Sequence, residues 1–135
     1  MAKLFDYNAT IVTPITDGTS IAIPLTPARV DVGSVIVNVP NVVPRYVQVN
    51  ATIGIRGDAG TGSILFRIRR GGTEIYYSLI GLESGFERFA LSTLLAVDGN
   101  SPPGPQVYTV SVERFTAGLT AFVIGPVEIT ASSFG

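Results

Sequence analysis

The segment YVQVNATIGIR, residues 46–56, alternates apolar and polar side chains without a break. Val47, Val49, Ala51, Ile53 and Ile55 fall on one side, and Tyr46, Gln48, Asn50, Thr52 and Arg56 fall on the other. Successive side chains of a strand point to opposite faces, so this pattern demands a strand with one buried and one solvated face. The same period of two recurs along the chain. VYTVSVERF turns Tyr108, Val110 and Val112 inward, and PVEITAS does the same with Val127, Ile129 and Ala131. TSIAIPL adds Ile21, Ile23 and Leu25; its Pro24 removes a ladder donor and marks an edge or a bulge. No stretch carries the 3.6-residue period of an amphipathic helix, and Gly, Pro, Asn and Asp separate the alternating runs. The expected fold is all-β: a two-sheet antiparallel, jelly-roll-like sandwich of about eight to ten strands.

SILFRIRRGGTEIYYSLIG, residues 63–81, places Arg67, Arg69 and Arg70 among Ile, Leu, Phe and Tyr. Gly71-Gly72 is a two-residue hairpin signal, because glycine accepts the positive φ of the primed turns. Counting outward from that turn pairs Ile68 with Ile75, Phe66 with Tyr77 and Ile64 with Leu79, all on one face. The other face then pairs Arg69 with Glu74 in a salt bridge and Arg67 with Tyr76 in a cation–π contact. On this reading the arginines are a solvated strand face with local partners, not a phosphate or nucleic-acid site. An isolated hairpin is at best marginal, so its apolar face requires a second sheet.

The 135 residues, 46% hydrophobic and 14% charged, suit one domain with a sizeable core. Nine basic against ten acidic residues give a net charge of −1, which steers the chain towards neither nucleic acid nor anionic lipid. Cysteine and histidine are absent, which excludes disulfides, thiolate–zinc sites, a cysteine nucleophile and a histidine base. MAKLFDYNATIVTP lacks the unbroken apolar run of a signal peptide, so synthesis in a cytoplasm without a secretory leader is expected. Stretches such as LTAFVIGP are too short for a membrane span.

Residues 1–16 form an N-terminal arm or first strand, ahead of a jelly-roll domain over residues 17–135. Phe5, Tyr7, Ala9 and Ile11 alternate with Leu4, Asp6, Asn8, Thr10 and Val12. This apolar face serves either the chain's own sandwich or, as a subunit-connecting arm, the open sheet edge of a neighbour. Arg56-Gly57-Asp58 spells an integrin-recognised tripeptide in the glycine-rich RGDAGTG, where an ordinary turn is the plainer expectation and an adhesion loop the alternative. GDAGTG lacks the Lys and Ser/Thr of a phosphate loop. Glu83, Glu87 and Asp98 show no spacing that selects a catalytic pair. Neither an enzymatic activity nor a cofactor or metal is expected. DGNSPPGP, residues 98–105, reads as a surface crossing. Leu65 and Ile80 on the arginine-bearing face, with Phe86, Phe89, Leu91 and Leu95, exceed what one sheet face buries, and a homo-oligomer follows.

Phe66-Arg67-Ile68 before Gly71-Gly72, Pro102-Pro103-Gly104 before Tyr108-Thr109-Val110, and Ile124-Gly125-Pro126 stand in one order, led by SIAIPLTP. In this the chain resembles the exosporium-protein-C-like, spore-surface jelly-roll proteins of spore-forming Firmicutes, relatives of the tumour-necrosis-factor-like fold. The resemblance covers most of residues 20–131. It implies a self-assembling structural subunit of the spore surface (exosporium, coat or appendage) made in the mother-cell cytoplasm. Its implied partners are copies of itself, as a ring or fibre, and other spore-surface proteins. With no cysteine, such an assembly is held non-covalently. The alternatives are a carbohydrate- or receptor-binding jelly-roll module and a virion structural jelly roll.

Overall fold

The computed structural model describes residues 2–135; its regular structure is nine strands, with no helix among the described residues. They are β1 (Leu4–Thr13), β2 (Ile21–Ala22), β3 (Val30–Val39), β4 (Tyr46–Ala59), β5 (Thr61–Arg70), β6 (Thr73–Glu83), β7 (Phe89–Asp98), β8 (Gly104–Arg114) and β9 (Thr120–Phe134). One antiparallel sheet runs β1-β9-β4-β7, with β2 also on β9, and the other runs β3-β8-β5-β6. Only β5 and β6 form a hairpin within one sheet; the other links between long strands cross from sheet to sheet. That winding is the jelly roll.

The alternating runs supply the core. Val47, Val49, Ala51, Ile53 and Ile55 of β4 are buried against Tyr108, Val110 and Val112 of β8 and their neighbours. Val127, Ile129 and Ala131 of β9 are fully buried beside them. Of the proline-flanked Ile21, Ile23 and Leu25, Ile23 enters the core, Ile21 packs against it, and Leu25 stays exposed.

The hairpin departs from its expected register. Gly71 adopts a φ of 56°, and Arg70 pairs with Thr73 and Arg69 with Glu74. Ile75 is then an extra residue in β6, so Ile68 pairs with Tyr76, Phe66 with Ser78 and Ile64 with Ile80. Unbroken alternation from Ile75 would have turned Glu83 towards the core. The bulge turns Leu82 inward and leaves Glu83 exposed, at the cost of exposing Tyr77 and Leu79. Ile80 consequently packs on the core, and Leu65 is buried although it lies on the arginine-bearing face.

Residues 4–13 are the first strand of their own sandwich, paired with β9 from Leu4–Phe134 to Thr13–Val127. Their apolar face points away from the core: Phe5, Tyr7, Ala9 and Ile11 are exposed. The polar face closes the seam between the sheets. Thr10 Oγ1 donates to Ser34 O (2.7 Å), Asn8 Nδ2 donates to Ile36 O (2.9 Å), and Asp6 Oδ2 accepts from Asn38 N (2.8 Å). Three side chains thus cap the edge of β3 that would otherwise invite another strand.

The 98–105 stretch is more than a surface crossing, because Asp98 and Ser101 are buried. Tyr108 Oη donates to Asp98 Oδ2 (2.8 Å) and lies 3.1 Å from Ser101 Oγ, while Arg70 donates to the same carboxylate. This knot ties β5 and β8 of one sheet to β7 of the other at the end of the core. Burial, and then the Asp98 contact, push the Tyr108 phenol well above its ordinary value, outweighing the opposing Ser101 hydrogen bond and Arg70 charge.

Candidate functional site

Directly opposed residues share a sheet face, so the register names what the outer side of the β1-β9-β4-β7 sheet presents. Three rows cross it: Tyr7–Ser132–Gln48–Val97, Ala9–Thr130–Asn50–Leu95 and Ile11–Glu128–Thr52–Thr93. The two central strands thus show polar groups, Glu128 among them, and the two edge strands show apolar ones except at Thr93. Phe89, Leu91, Leu95 and Val97 along β7 are exposed, as are Phe5, Tyr7 and Ile11 along β1. Three strand spacings, about 14 Å, separate the two stripes. At one end of the polar floor the Tyr46 and Phe134 rings stack at 4.9 Å.

Near the other end a cleft of about 400 Å³ opens among Pro14, Gly54, Phe89, Leu91, Gly125 and Pro126. Gly125 has a φ of 97°, and a Cβ on Gly54 would lie 2.0 Å from Gly125 O. Glycine at position 54 is therefore what lets β4 and β9 approach here.

Arg56-Gly57-Asp58 lies inside β4, not at a loop tip, so both the adhesion-loop and the turn expectations are corrected. Arg56 Nε donates to Asp58 Oδ1 (2.7 Å) and Arg56 Nη2 to Asp58 Oδ2 (3.1 Å). The guanidinium also sits 5.4 Å above the Phe122 ring, and Gly57 N donates to Arg88 O (2.7 Å). The Arg56 hydrogen bond, followed by its charge and that of Arg88, holds the Asp58 carboxyl below its ordinary value despite some desolvation. The two charges of the tripeptide are spent on each other. Arg56 pairs with Phe122 and Gly57 with Ala121, Asp58 falls at a register shift, and this pairing depends on β9, which lies far along the chain.

Arg67 and Arg69 of β5 form the second polar cluster, on the outer face of the β3-β8-β5-β6 sheet, whereas Arg70, opposite the buried Tyr108, turns inward. Their partners are not the expected ones. Arg67 Nε donates to Glu113 Oε1 of β8 (2.5 Å), and Arg67 also donates to Glu74. Arg69 Nη2 donates to Asp31 of β3 (2.8 Å), and Arg70 reaches Asp98. The bulge moves Tyr76 off this face, and the long-range neighbours β8 and β3 supply Glu113 to Arg67 and Asp31 to Arg69, where local counting assigns the Tyr76 ring and the Glu74 carboxylate. Each arginine of the cluster thus has a carboxylate, as expected of a strand face with partners.

Glu83, Glu87 and Asp98 do not come together as a carboxylate pair: Asp98 is in the buried knot, and the glutamates flank the β6–β7 loop at the opposite end of the sandwich. Among the described residues no group of three or more acidic, histidine or cysteine side chains is placed to hold a metal, and no helix is long and apolar enough to cross a membrane.

The fold and this surface define an antiparallel jelly-roll sandwich with a polar-floored, apolar-edged sheet face. No protein-family model matches the sequence, and no curated protein is similar to it in sequence. Three solved structures are similar in fold. Dimeric latent PorU from Porphyromonas gingivalis aligns over 98% of this chain at 13% identity and a TM-score of 0.50; this chain spans 13% of its length. TmCBM61, solved in complex with beta-1,4-galactotriose, aligns over 91% of this chain and 86% of its own at 14% identity and a TM-score of 0.42. The infectious bursal disease virus VP2 subviral particle aligns over 98% of this chain and 41% of its own at 10% identity and a TM-score of 0.37. At such identities the likeness is one of fold.

Proposed function

We propose that this chain is a structural subunit that assembles with copies of itself in the surface layer or an appendage of a bacterial spore. The observation that carries the self-assembly is the pair of exposed apolar stripes on β1 and β7, on one face of one sheet. Rows of large exposed apolar side chains bordered by polar ones mark an interface. A second copy is the occupant that fits. When two such faces meet about a two-fold axis lying between them, β1 covers either β7 or β1 of the partner, so apolar meets apolar and polar floor meets polar floor. The spore setting rests on the resemblance of the strand and turn motifs between residues 20 and 131. Light scattering should give a mass above 14.2 kDa for the intact chain, and Leu91→Glu with Leu95→Glu should lower it. An intact chain that stays monomeric at every accessible concentration overturns the reading. An antibody against the chain should label intact spores of the source organism; labelling confined to vegetative cells would remove the spore setting.

A second reading, carbohydrate binding, draws on the floor of Gln48, Asn50, Thr130 and Ser132 beside the Tyr46–Phe134 stack. Amides and hydroxyls there offer both donors and acceptors to sugar hydroxyls. A glycan array probed with the intact chain and with Asn50→Ala separates the two readings.

A further inference from the structure

Among the described residues the two most exposed large apolar side chains are Phe86, at 89%, and Val43, at 88%. They lie at opposite ends of the sandwich. Val43 is in the β3–β4 turn, on the end that also carries Gly71-Gly72 and the chain termini, where Lys3 and Gly135 exchange backbone hydrogen bonds at 3.0 Å. Phe86 is in the β6–β7 loop, on the end that carries the β4–β5 and β8–β9 turns. Its loop is a closed turn, since Glu83 O accepts from both Phe86 N (3.0 Å) and Glu87 N (2.7 Å). The end opposite Phe86 holds an apolar groove of about 340 Å³ walled by Leu4, Phe5, Pro40 and Val42, with Lys3 at its rim.

Charge agrees with shape. Glu83 and Glu87, on either side of Phe86, take part in no ion pair among the described residues, and neither do Lys3 or Arg45 at the groove end. A knob flanked by two carboxylates and a groove with Lys3 at its rim therefore face away from each other on one chain, while Arg45 at the groove end is held by the Ser101 and Val42 carbonyls.

We propose that Phe86 of one copy seats in the Leu4–Phe5–Pro40–Val42 groove of the next, joining subunits end to end. This rests on the self-assembly reading above and adds to the sheet-face contact a second, different interface. A knob and a groove on opposite ends make a heterologous contact, which leaves one free knob and one free groove on every oligomer. Such a contact propagates as an open filament unless its rotation closes a ring. Opposite charges at the rim steer the encounter and fix its direction, and they make growth sensitive to salt.

The test uses two surface variants of the full chain, Phe86→Glu (no knob) and Val42→Glu (groove blocked). Each alone should form no filaments by electron microscopy. Mixed in the Leu91→Glu, Leu95→Glu background, which removes the sheet-face contact, they should form a 1:1 complex by light scattering that grows no further, because only one knob and one groove remain competent. Lys3→Glu should weaken filament growth, and adding Glu87→Lys should restore it. Filaments from Phe86→Glu at the wild-type yield, or no 1:1 complex on mixing, overturn the end-to-end contact. If Phe86→Glu builds the same filaments as the wild type and Leu91→Glu abolishes all association, self-assembly stands and only the end-to-end contact is wrong. A wild-type chain that is monomeric throughout overturns both.

Discussion

The Glu113 carboxylate accepts a hydrogen bond from Arg67 Nε at 2.5 Å on the outer face of a sheet, yet Glu113 is only 2% exposed. Its pKa reflects that setting: burial pushes it up, but hydrogen bonds from Thr26 and Arg67, and then the charges of Arg67 and Arg29, bring it below the ordinary carboxylate value.

Arg67→Gln should therefore cost far more than an exposed strand pair. Removing the guanidinium leaves a buried carboxylate short of its main counter-charge, and a loss of about 3 kcal/mol in urea denaturation is expected. Arg67→Gln with Glu113→Gln should recover part of it. A single-variant loss within about 1 kcal/mol would make the pair an ordinary surface one.

The same carboxylate sets an acid limit. A depressed pKa in the folded state means that the unfolded chain binds the proton more readily. The stabilisation is thus fully present above the ordinary value of 4.5 and is lost as pH falls below it, through the lower folded pKa. Stability curves of wild type and Glu113→Gln should converge on acidification below that point. Parallel curves down to the acid transition would deny Glu113 this role.

Gly54→Ala should destabilise by about 3 kcal/mol, the upper end of overpacking costs, because the new methyl meets backbone and not a movable side chain. Gly72→Ala has no heavy atom within 4 Å of its added Cβ and should stay within about 0.5 kcal/mol of wild type. Thermal melts of the two variants side by side decide the matter; equal shifts would mean that β4 and β9 part easily at Gly125.

Deleting residues 1–13 should leave a cooperative sandwich with a lower midpoint. Among β1 residues only Thr13 is buried, and none belongs to the apolar core cluster, so the loss is of hydrogen bonds to β9 and β3. Circular dichroism should retain its strand signal. A chain without a folding transition would show that closing the β3 edge is essential. If the truncated chain folds and assembles as well as the intact one, residues 1–13 do not connect subunits.

A single strand's alternation determined much of this protein. Val47 to Ile55, Tyr108 to Val112 and Val127 to Ala131 all face the core as their period requires, because side-chain direction in a strand is a local property of the pleat. The all-β sandwich follows from several such strands that each need a cover. Partnership is not local, and only the tertiary structure decided it. Arg67 looked towards Tyr76 across the hairpin, but the bulge at Ile75 and the arrival of β8 gave it Glu113 instead. Arg56-Gly57-Asp58 read as a loop because glycine and aspartate favour turns, whereas pairing with β9 more than sixty residues away holds it extended. In β1 the alternation was legible but its sense was not. A period of two says that the faces differ, and packing chose the polar face of Asp6, Asn8 and Thr10, because the neighbouring edge of β3 offered backbone groups to bond. Whether that apolar face was covered by the chain's own sandwich was likewise beyond the sequence, because exposure is a property of what the rest of the chain fails to cover.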